Sequence, residues 1–193
     1  MIRARALGRR FDGRLILSRL DFDVPQGGFL LVTGPNGSGK TTLMRLLAGL
    51  LVPTAGTLDV DTNRGRIGFL GHEPLLYREL TALENLDLYG RLYRVGERRE
   101  RIGMLLERFG LWDARAHPVS ELSRGMIQRL ALCRTLLHDP ELLLLDEPFS
   151  ALDSAGADLL DAEIGAHGPR TVVVASHQPE RLVPYATQRL ALA

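Results

Sequence analysis

Apolar and polar positions divide the chain into three stretches. In the first, apolar residues fall in short runs punctuated by glycine and proline. Leu15 to Val24 is apolar-rich and ends in the alternation Asp21-Phe22-Asp23-Val24, the period of a half-buried strand. Phe29 to Thr33 is one continuous apolar run, which predicts a strand buried on both faces. Thr41 to Leu51 predicts a helix ended by Pro53, and Gly56 to Val60 and Arg66 to Leu70 predict two more strands.

The middle stretch changes period. Thr81-Ala82-Leu83-Glu84 is a capping box that opens a helix running to Tyr93, broken by Val95-Gly96. Ile102, Leu105, Leu106 and Phe109 form an i, i+3, i+4, i+7 stripe, closed by Gly110. Ser123 is placed to cap a third helix reaching about His138. The last stretch returns to alternation: strand over Leu142 to Leu145, helix over Ser154 to Ala166, strand over Thr171 to Ala175. The pattern is that of an α/β core, with a mostly helical block inserted near residues 73–137.

Composition narrows the reading. At 193 residues and 45% hydrophobic, the chain suits one domain with a sizeable core. The 24 basic residues face 23 acidic ones, which argues against a nucleic-acid partner held by bulk charge. One cysteine, Cys133, excludes a disulfide framework and a cysteine-rich zinc site, and fits a reducing compartment. The longest uncharged run, Val24 to Gly39, carries two prolines and five glycines and does not read as a spanning helix. Met1 to Arg10 is basic but lacks the apolar block of a leader, so the chain is expected to stay in the cytosol unless another protein tethers it.

Lys40 is the only lysine in a chain that otherwise uses arginine. A site that retains it needs a compact ammonium rather than a planar fork. Its neighbours supply the reason. Gly34-Pro35-Asn36-Gly37-Ser38-Gly39-Lys40-Thr41 matches G-x-x-x-x-G-K-[ST], between a predicted buried strand and a predicted helix. The glycines let backbone N–H groups close around phosphate oxygens, and the helix start adds partial positive charge. Lys40 brings a point charge to the β- and γ-phosphates, and the Thr41 hydroxyl a ligand for Mg²⁺. Downstream, Leu142-Leu143-Leu144-Leu145-Asp146-Glu147 is an apolar strand ending in two carboxylates. The first is suited to hold Mg²⁺ through its water shell, the second to accept a proton from an attacking water.

In this order the motifs resemble those of the ATP-binding cassette ATPases, over nearly the whole chain. Leu122-Ser123-Arg124-Gly125-Met126 stands where that family carries its signature loop, 23 residues before Asp146. Ser150-Ala151-Leu152-Asp153 stands at the D-loop, and His177, 30 residues after Glu147, at the switch histidine. Phe11 lies upstream, where an aromatic stacks on adenine. The resemblance implies a P-loop NTPase (RecA-like) α/β core with an N-terminal antiparallel β subdomain and an inserted α-helical subdomain, in one domain over residues 1–193. It implies ATP and Mg²⁺ as cofactors. Phe11, the loop residues 34–41 named above, Thr42, Ser123, Gly125 and Asp153 would then meet the nucleotide. Thr41, Asp146 and His72 would stand at the metal, and Lys40, Glu147 and His177 would be catalytic.

The resemblance also implies partners. A signature loop in this family does not reach its own chain's phosphate, so a second ATPase subunit would pack head to tail, with ATP between the two. Integral membrane transporter subunits would complete the assembly, with no nucleic acid. The chain would sit peripherally on the cytoplasmic face of the cell membrane.

Two departures stand out. Gly71-His72-Glu73-Pro74 occupies the loop where the family has glutamine, and imidazole is a poorer Mg²⁺ ligand than oxygen. Glu73 substitutes if the loop shifts by one residue. Arg124 and Met126 replace the family's glycine and glutamine in the signature, while Ser123 and Gly125 remain. The Gly-His pair, Leu80 to Leu86, Ser176-His177-Gln178-Pro179 and the stop at Ala193 resemble the ATP-binding subunits of haem exporters used in cytochrome c maturation. The alternatives are an exporter of another cargo (lipid, drug or ion) and a soluble assembly ATPase of the same build. Cys133, Trp112 and Tyr89 read as packing residues, Arg91, Arg94, Arg98, Arg99 and Arg101 as a solvated helical face. His117, His138 and His167 form no metal spacing.

Overall fold

The computed structural model describes residues 1–193. Its first element is an antiparallel sheet of three strands, in the order β2-β1-β4: β1 (Ile2–Phe11), β2 (Arg14–Val24) and β4 (Ala55–Val60). Asp12 and Gly13, both at positive φ, form the two-residue hairpin between β1 and β2. The second sheet is parallel, in the order β5-β6-β7-β3-β8. It consists of β3 (Phe29–Thr33), β5 (Ile67–Leu70), β6 (Leu142–Asp146), β7 (Thr171–Ala175) and β8 (Gln188–Ala191).

Period-two alternation gives the parallel sheet two buried faces. Phe29, Leu31, Leu143, Leu145, Val172 and Val174 point into the larger core. Leu30, Val32, Leu142, Leu144, Val173 and Ala175 point into the other, beneath β1, β2 and helix α1 (Lys40–Leu47). The larger core is completed by α2 (Ala82–Leu92), α3 (Arg98–Arg108), α4 (Arg124–Leu136) and α5 (Ser154–Gly165). Helices α2, α3 and α4 lie between β5 and β6 in sequence and pack on one another.

The helix starts follow their caps. Thr81 and Glu84 form the complete capping box, and the Ser123 hydroxyl accepts the Met126 N–H. Gly110, at φ +63, lies just past the last turn of α3. One boundary differs from expectation: α1 stops at Leu47, not Leu51. Gly49 adopts φ +69, and the Leu50 and Leu51 N–H groups both turn back to the Arg45 carbonyl, so the chain leaves the axis well before Pro53. Strands β1 and β8 lie outside the elements that the apolar pattern predicts. β1 does alternate from Ile2 to Arg5, but Ala6 at φ +47 breaks its register. Strand β8 has only four residues, alternately half-buried and exposed.

Cys133 is fully buried, and burial pushes its thiol up, as befits a packing residue. The arginine face is partly paired: Arg91 and Arg98 share Asp87, and Arg101 donates to the Leu136 carbonyl. His138 is buried, stacked on Tyr93 at 4.1 Å between ring centroids. No helix is long and apolar enough to cross a membrane.

Candidate functional site

The strand order β6-β7-β3 brings the C-terminal ends of three strands together, at the sheet edge where ligands of open α/β sheets bind. From the end of β3 the chain makes a glycine-rich turn and enters α1 at Lys40. Gly39 adopts φ +96, which strains any residue that carries a side chain, and a Cβ there would also press on Leu17 Cδ2 at 2.6 Å. Gly37, at φ +86, faces open space, leaving room for a ligand above the turn. Ser38 N–H closes on the Pro35 carbonyl, and Pro35 and Asn36 complete the arch. The Ser38 hydroxyl is buried without a partner.

Lys40 is 6% exposed, and its ammonium faces inward. It donates to the Gly34 carbonyl at 2.8 Å and the Pro35 carbonyl at 3.2 Å, and lies 3.5 Å from Glu147 Oε1. The other oxygen of Glu147 accepts from the His177 backbone N–H at 3.2 Å and contacts His177 Nδ1 at 2.8 Å. Three sequence-predicted residues therefore form one chain of contacts: Lys40, Glu147, His177. Glu147 itself adopts φ +49, a left-handed conformation that is costly for a side-chain-bearing residue. Its N–H is anchored to the Ala175 carbonyl at the end of β7.

Asp146 is the last residue of β6, 3% exposed. Both its carboxylate oxygens are buried without a hydrogen-bond partner. Burial pushes its carboxyl above the ordinary range. The Thr41 hydroxyl, close by but not in a well-formed hydrogen bond, opposes that shift; Glu147 adds to it, and Lys40 and His72 offset it. A buried carboxylate with unsatisfied oxygens beside a hydroxyl suits a hard cation such as Mg²⁺. No cluster of three acidic, histidine or cysteine side chains is present to cage a metal, so phosphate oxygens and water would have to complete the shell.

His72 shares a cavity of about 320 Å³ with Thr41, Arg45, Leu51, Phe69 and Glu73. Asp153 caps α5 by accepting the Gly156 N–H at 2.8 Å, and lines a second cavity, of about 410 Å³, with Glu147 and His177. Thr42 follows Thr41 in the first turn of α1 and is half-buried. Ser123 is exposed at the start of α4, and Gly125 faces the Ala151 carbonyl. Neither forms a hydrogen bond with the phosphate loop of its own chain. Phe11 is 39% exposed at the β1–β2 hairpin, and the Arg9 guanidinium lies over its ring at 4.4 Å, so one ring face is already covered.

Sequence reading missed Gln128. From one turn inside α4 its amide donates to the Pro148 carbonyl at 3.2 Å, bracing the segment just after Glu147. Its only signal was its closeness to the signature residues.

Comparison with known proteins agrees with this geometry. Residues 17–150 match the ABC transporter family. The chain is 39% identical to a cytochrome c biogenesis ATP-binding export protein, CcmA, of Pseudomonas syringae, over 94% of this chain and 90% of that one. It is 41% identical to the daunorubicin resistance ATP-binding protein DrrA3 of Streptomyces coeruleorubidus over 88% of its length, but spans only 58% of that relative. Among solved structures, the ATP-binding cassette MJ0796, in a dimeric post-hydrolysis state bound to ADP and Pi, superposes with a TM-score of 0.86. That match is 28% identical, over 100% of this chain and 94% of the other. With motif order, sheet topology and sequence similarity in agreement, the chain belongs to the ABC transporter family, as an ATPase subunit.

Proposed function

We propose that the chain is a Mg²⁺-dependent ATPase, two copies of which close head to tail over ATP to drive a membrane exporter. The observation that carries this reading is the contact chain Lys40–Glu147–His177 at the sheet edge, beside the unsatisfied Asp146 carboxylate. Lys40 now rests on loop carbonyls and Glu147. Phosphate oxygens of ATP are stronger partners, so Lys40 turns to them and Glu147 is released. Glu147 then takes a proton from the attacking water, while His177 keeps its second oxygen oriented. Thr41 and Asp146 are the residues to hold Mg²⁺, which when bound supplies charge against the β- and γ-phosphates. Residues 34–42 cradle the phosphates, and the free face of Phe11 is available to adenine. Ser123 and Gly125 serve the partner's γ-phosphate, next to Asp153.

Residues 73–137 form the helical subdomain of this single domain. The groove beside His72 carries Leu50 and Leu75, 61% and 48% exposed, and is the surface offered to integral membrane subunits. The chain is thereby held on the cytoplasmic face of the membrane. His72, between that groove and Asp146, serves coupling more than metal binding. Accordingly, His72→Ala should leave the Mg²⁺ concentration needed for ATP binding nearly unchanged but reduce the ATPase gained with membrane subunits. A large rise in the Mg²⁺ requirement with coupling intact would reverse that assignment.

Haem export for cytochrome c maturation is the cargo reading, supported by near full-length similarity to a cytochrome c biogenesis export protein. Export of another small molecule is the second reading, favoured by the similarity to the daunorubicin resistance protein. Haem staining of c-type cytochromes in cells lacking the chain separates them. Loss of stain restored by the wild-type chain, but not by Glu147→Gln, is expected. Unchanged stain would exclude the cytochrome c role.

A further inference from the structure

The segment carrying His72 hangs between two side-chain clamps, and the clamps touch each other. On one side, Arg134 of α4 is 4% exposed and faces no carboxylate. Its guanidinium donates to the Phe69 carbonyl at 2.9 Å and the Thr135 hydroxyl at 3.2 Å, while Nε is buried and unpartnered. On the other side, the Tyr89 hydroxyl of α2 donates to the Leu75 carbonyl at 2.6 Å. Leu75 adopts φ +51, an unfavourable conformation for a leucine without external support. Asn85, one turn earlier on α2 and fully buried, accepts the Tyr77 N–H and donates to the carbonyls of Tyr77, Leu80 and Thr81. Phe69, held in β5 by its pairing with β6, is thus also tied to α4, and residues 75–81 are tied to α2.

Between the clamps lie Leu70, Gly71, His72, Glu73 and Pro74, and residues 71–74 make no backbone hydrogen bond. Their placement is therefore set from the two ends. The Arg134 guanidinium lies over the Tyr89 ring, 5.5 Å from its centroid, so a shift of either helix is felt by both ends together. A buried guanidinium without a counter-charge is costly, and an apolar residue would fill the space more cheaply. What an apolar residue cannot supply is the planar donor that grips Phe69 while stacking on Tyr89.

We propose that Tyr89 and Arg134 act as a positioning pair that fixes residues 70–75, and with them His72, relative to α2 and α4. This rests on the reading of His72 as the coupling residue, and the test keeps the two apart. Tyr89→Phe removes the hydroxyl bond to Leu75 and keeps the ring under Arg134. Hydrogen exchange on the free chain should show faster exchange in the peptide covering 71–80, with melting temperature nearly unchanged. The second readout is the ratio of ATPase turnover in the tagged complex purified from membranes to that of the free chain. Tyr89→Phe should lower that ratio about fivefold, the size expected for one lost hydrogen bond. Tyr89→Phe with His72→Ala should fall no lower than His72→Ala alone, because the hydroxyl acts through His72. Arg134→Lys, which keeps the charge and loses the planar stack, should match Tyr89→Phe; if it does not fold, Tyr89→Phe decides alone. Unchanged exchange in Tyr89→Phe, or full additivity of the two losses, overturns the positioning pair. A ratio unaffected by His72→Ala alone would defeat the reading of His72, and exchange would then decide the pair by itself.

Discussion

Glu147→Gln is expected to bind ATP and nearly stop hydrolysing it. The substitution keeps the size of the side chain and leaves an amide oxygen for the His177 N–H groups that now meet Glu147 Oε2. The φ +49 backbone is set by the Ala175 carbonyl bond and the end of β6, so the fold should tolerate it. What is lost is a group that can take a proton, and loss of a general base costs ~10²–10⁴ in rate. Binding should tighten, because the carboxylate that competes for Lys40 at 3.5 Å disappears and repulsion of the γ-phosphate is relieved. ATP should then hold two copies together, visible by size-exclusion chromatography with ATP and Mg²⁺. A mutant that stays monomeric and turns over at the wild-type rate would contradict both the role of Glu147 and the closure.

The second large effect belongs to Lys40. Its Nζ is the one buried cation inside the phosphate turn, held by the Gly34 and Pro35 carbonyls until a better acceptor arrives. Lys40→Ala removes the charge opposite the β- and γ-phosphates and should lower kcat by on the order of 10²–10³, with weaker ATP affinity. Lys40→Arg should also fail. A side chain only 6% exposed within a turn of three glycines leaves no room for a planar guanidinium. Steady-state phosphate release over a range of ATP concentrations separates the affinity and rate components. Near wild-type turnover in either variant would remove Lys40 from the site.

How far the sequence foretold this arrangement depends on the distance over which each feature is encoded. Strands β3, β6 and β7 are continuous apolar runs because both faces are buried, and a local pattern suffices to find them. The capping box at Thr81 and the cap at Ser123 are encoded within four residues. Strand β8 could not be found this way, because only its parallel pairing with β3, 158 residues away in the Leu30–Gln188 pair, makes it a strand. The early end of α1 turned on the conformation of Gly49, in a stretch whose composition still favoured helix. The same limit applies at the site. The residues of the phosphate loop and the acid pair could be named from spacing, but their contacts could not. Lys40 meets Glu147, and Glu147 meets His177, because β3, β7 and β6 are neighbours in the sheet. Tyr89 reads as a packing residue from sequence, and Arg134 carries no signal there, because the partners of both are backbone carbonyls, which no side-chain pattern reveals.

The central claim is a composite site, built from the phosphate loop of one copy and the signature residues of another, and mixing two inactive variants tests it most directly. Lys40→Ala lacks the phosphate charge, and Gly125→Asp sets a carboxylate where the partner's γ-phosphate should lie. Each alone should be inactive. In a head-to-tail pair formed from one of each, both defects fall in one site and the other site is intact. An equal mixture should therefore recover about a quarter of wild-type phosphate release, since half the pairs are mixed and each holds one good site of two. Recovery of that size supports the composite site. A mixture as inactive as its components, or a Gly125→Asp variant with wild-type turnover, would contradict it.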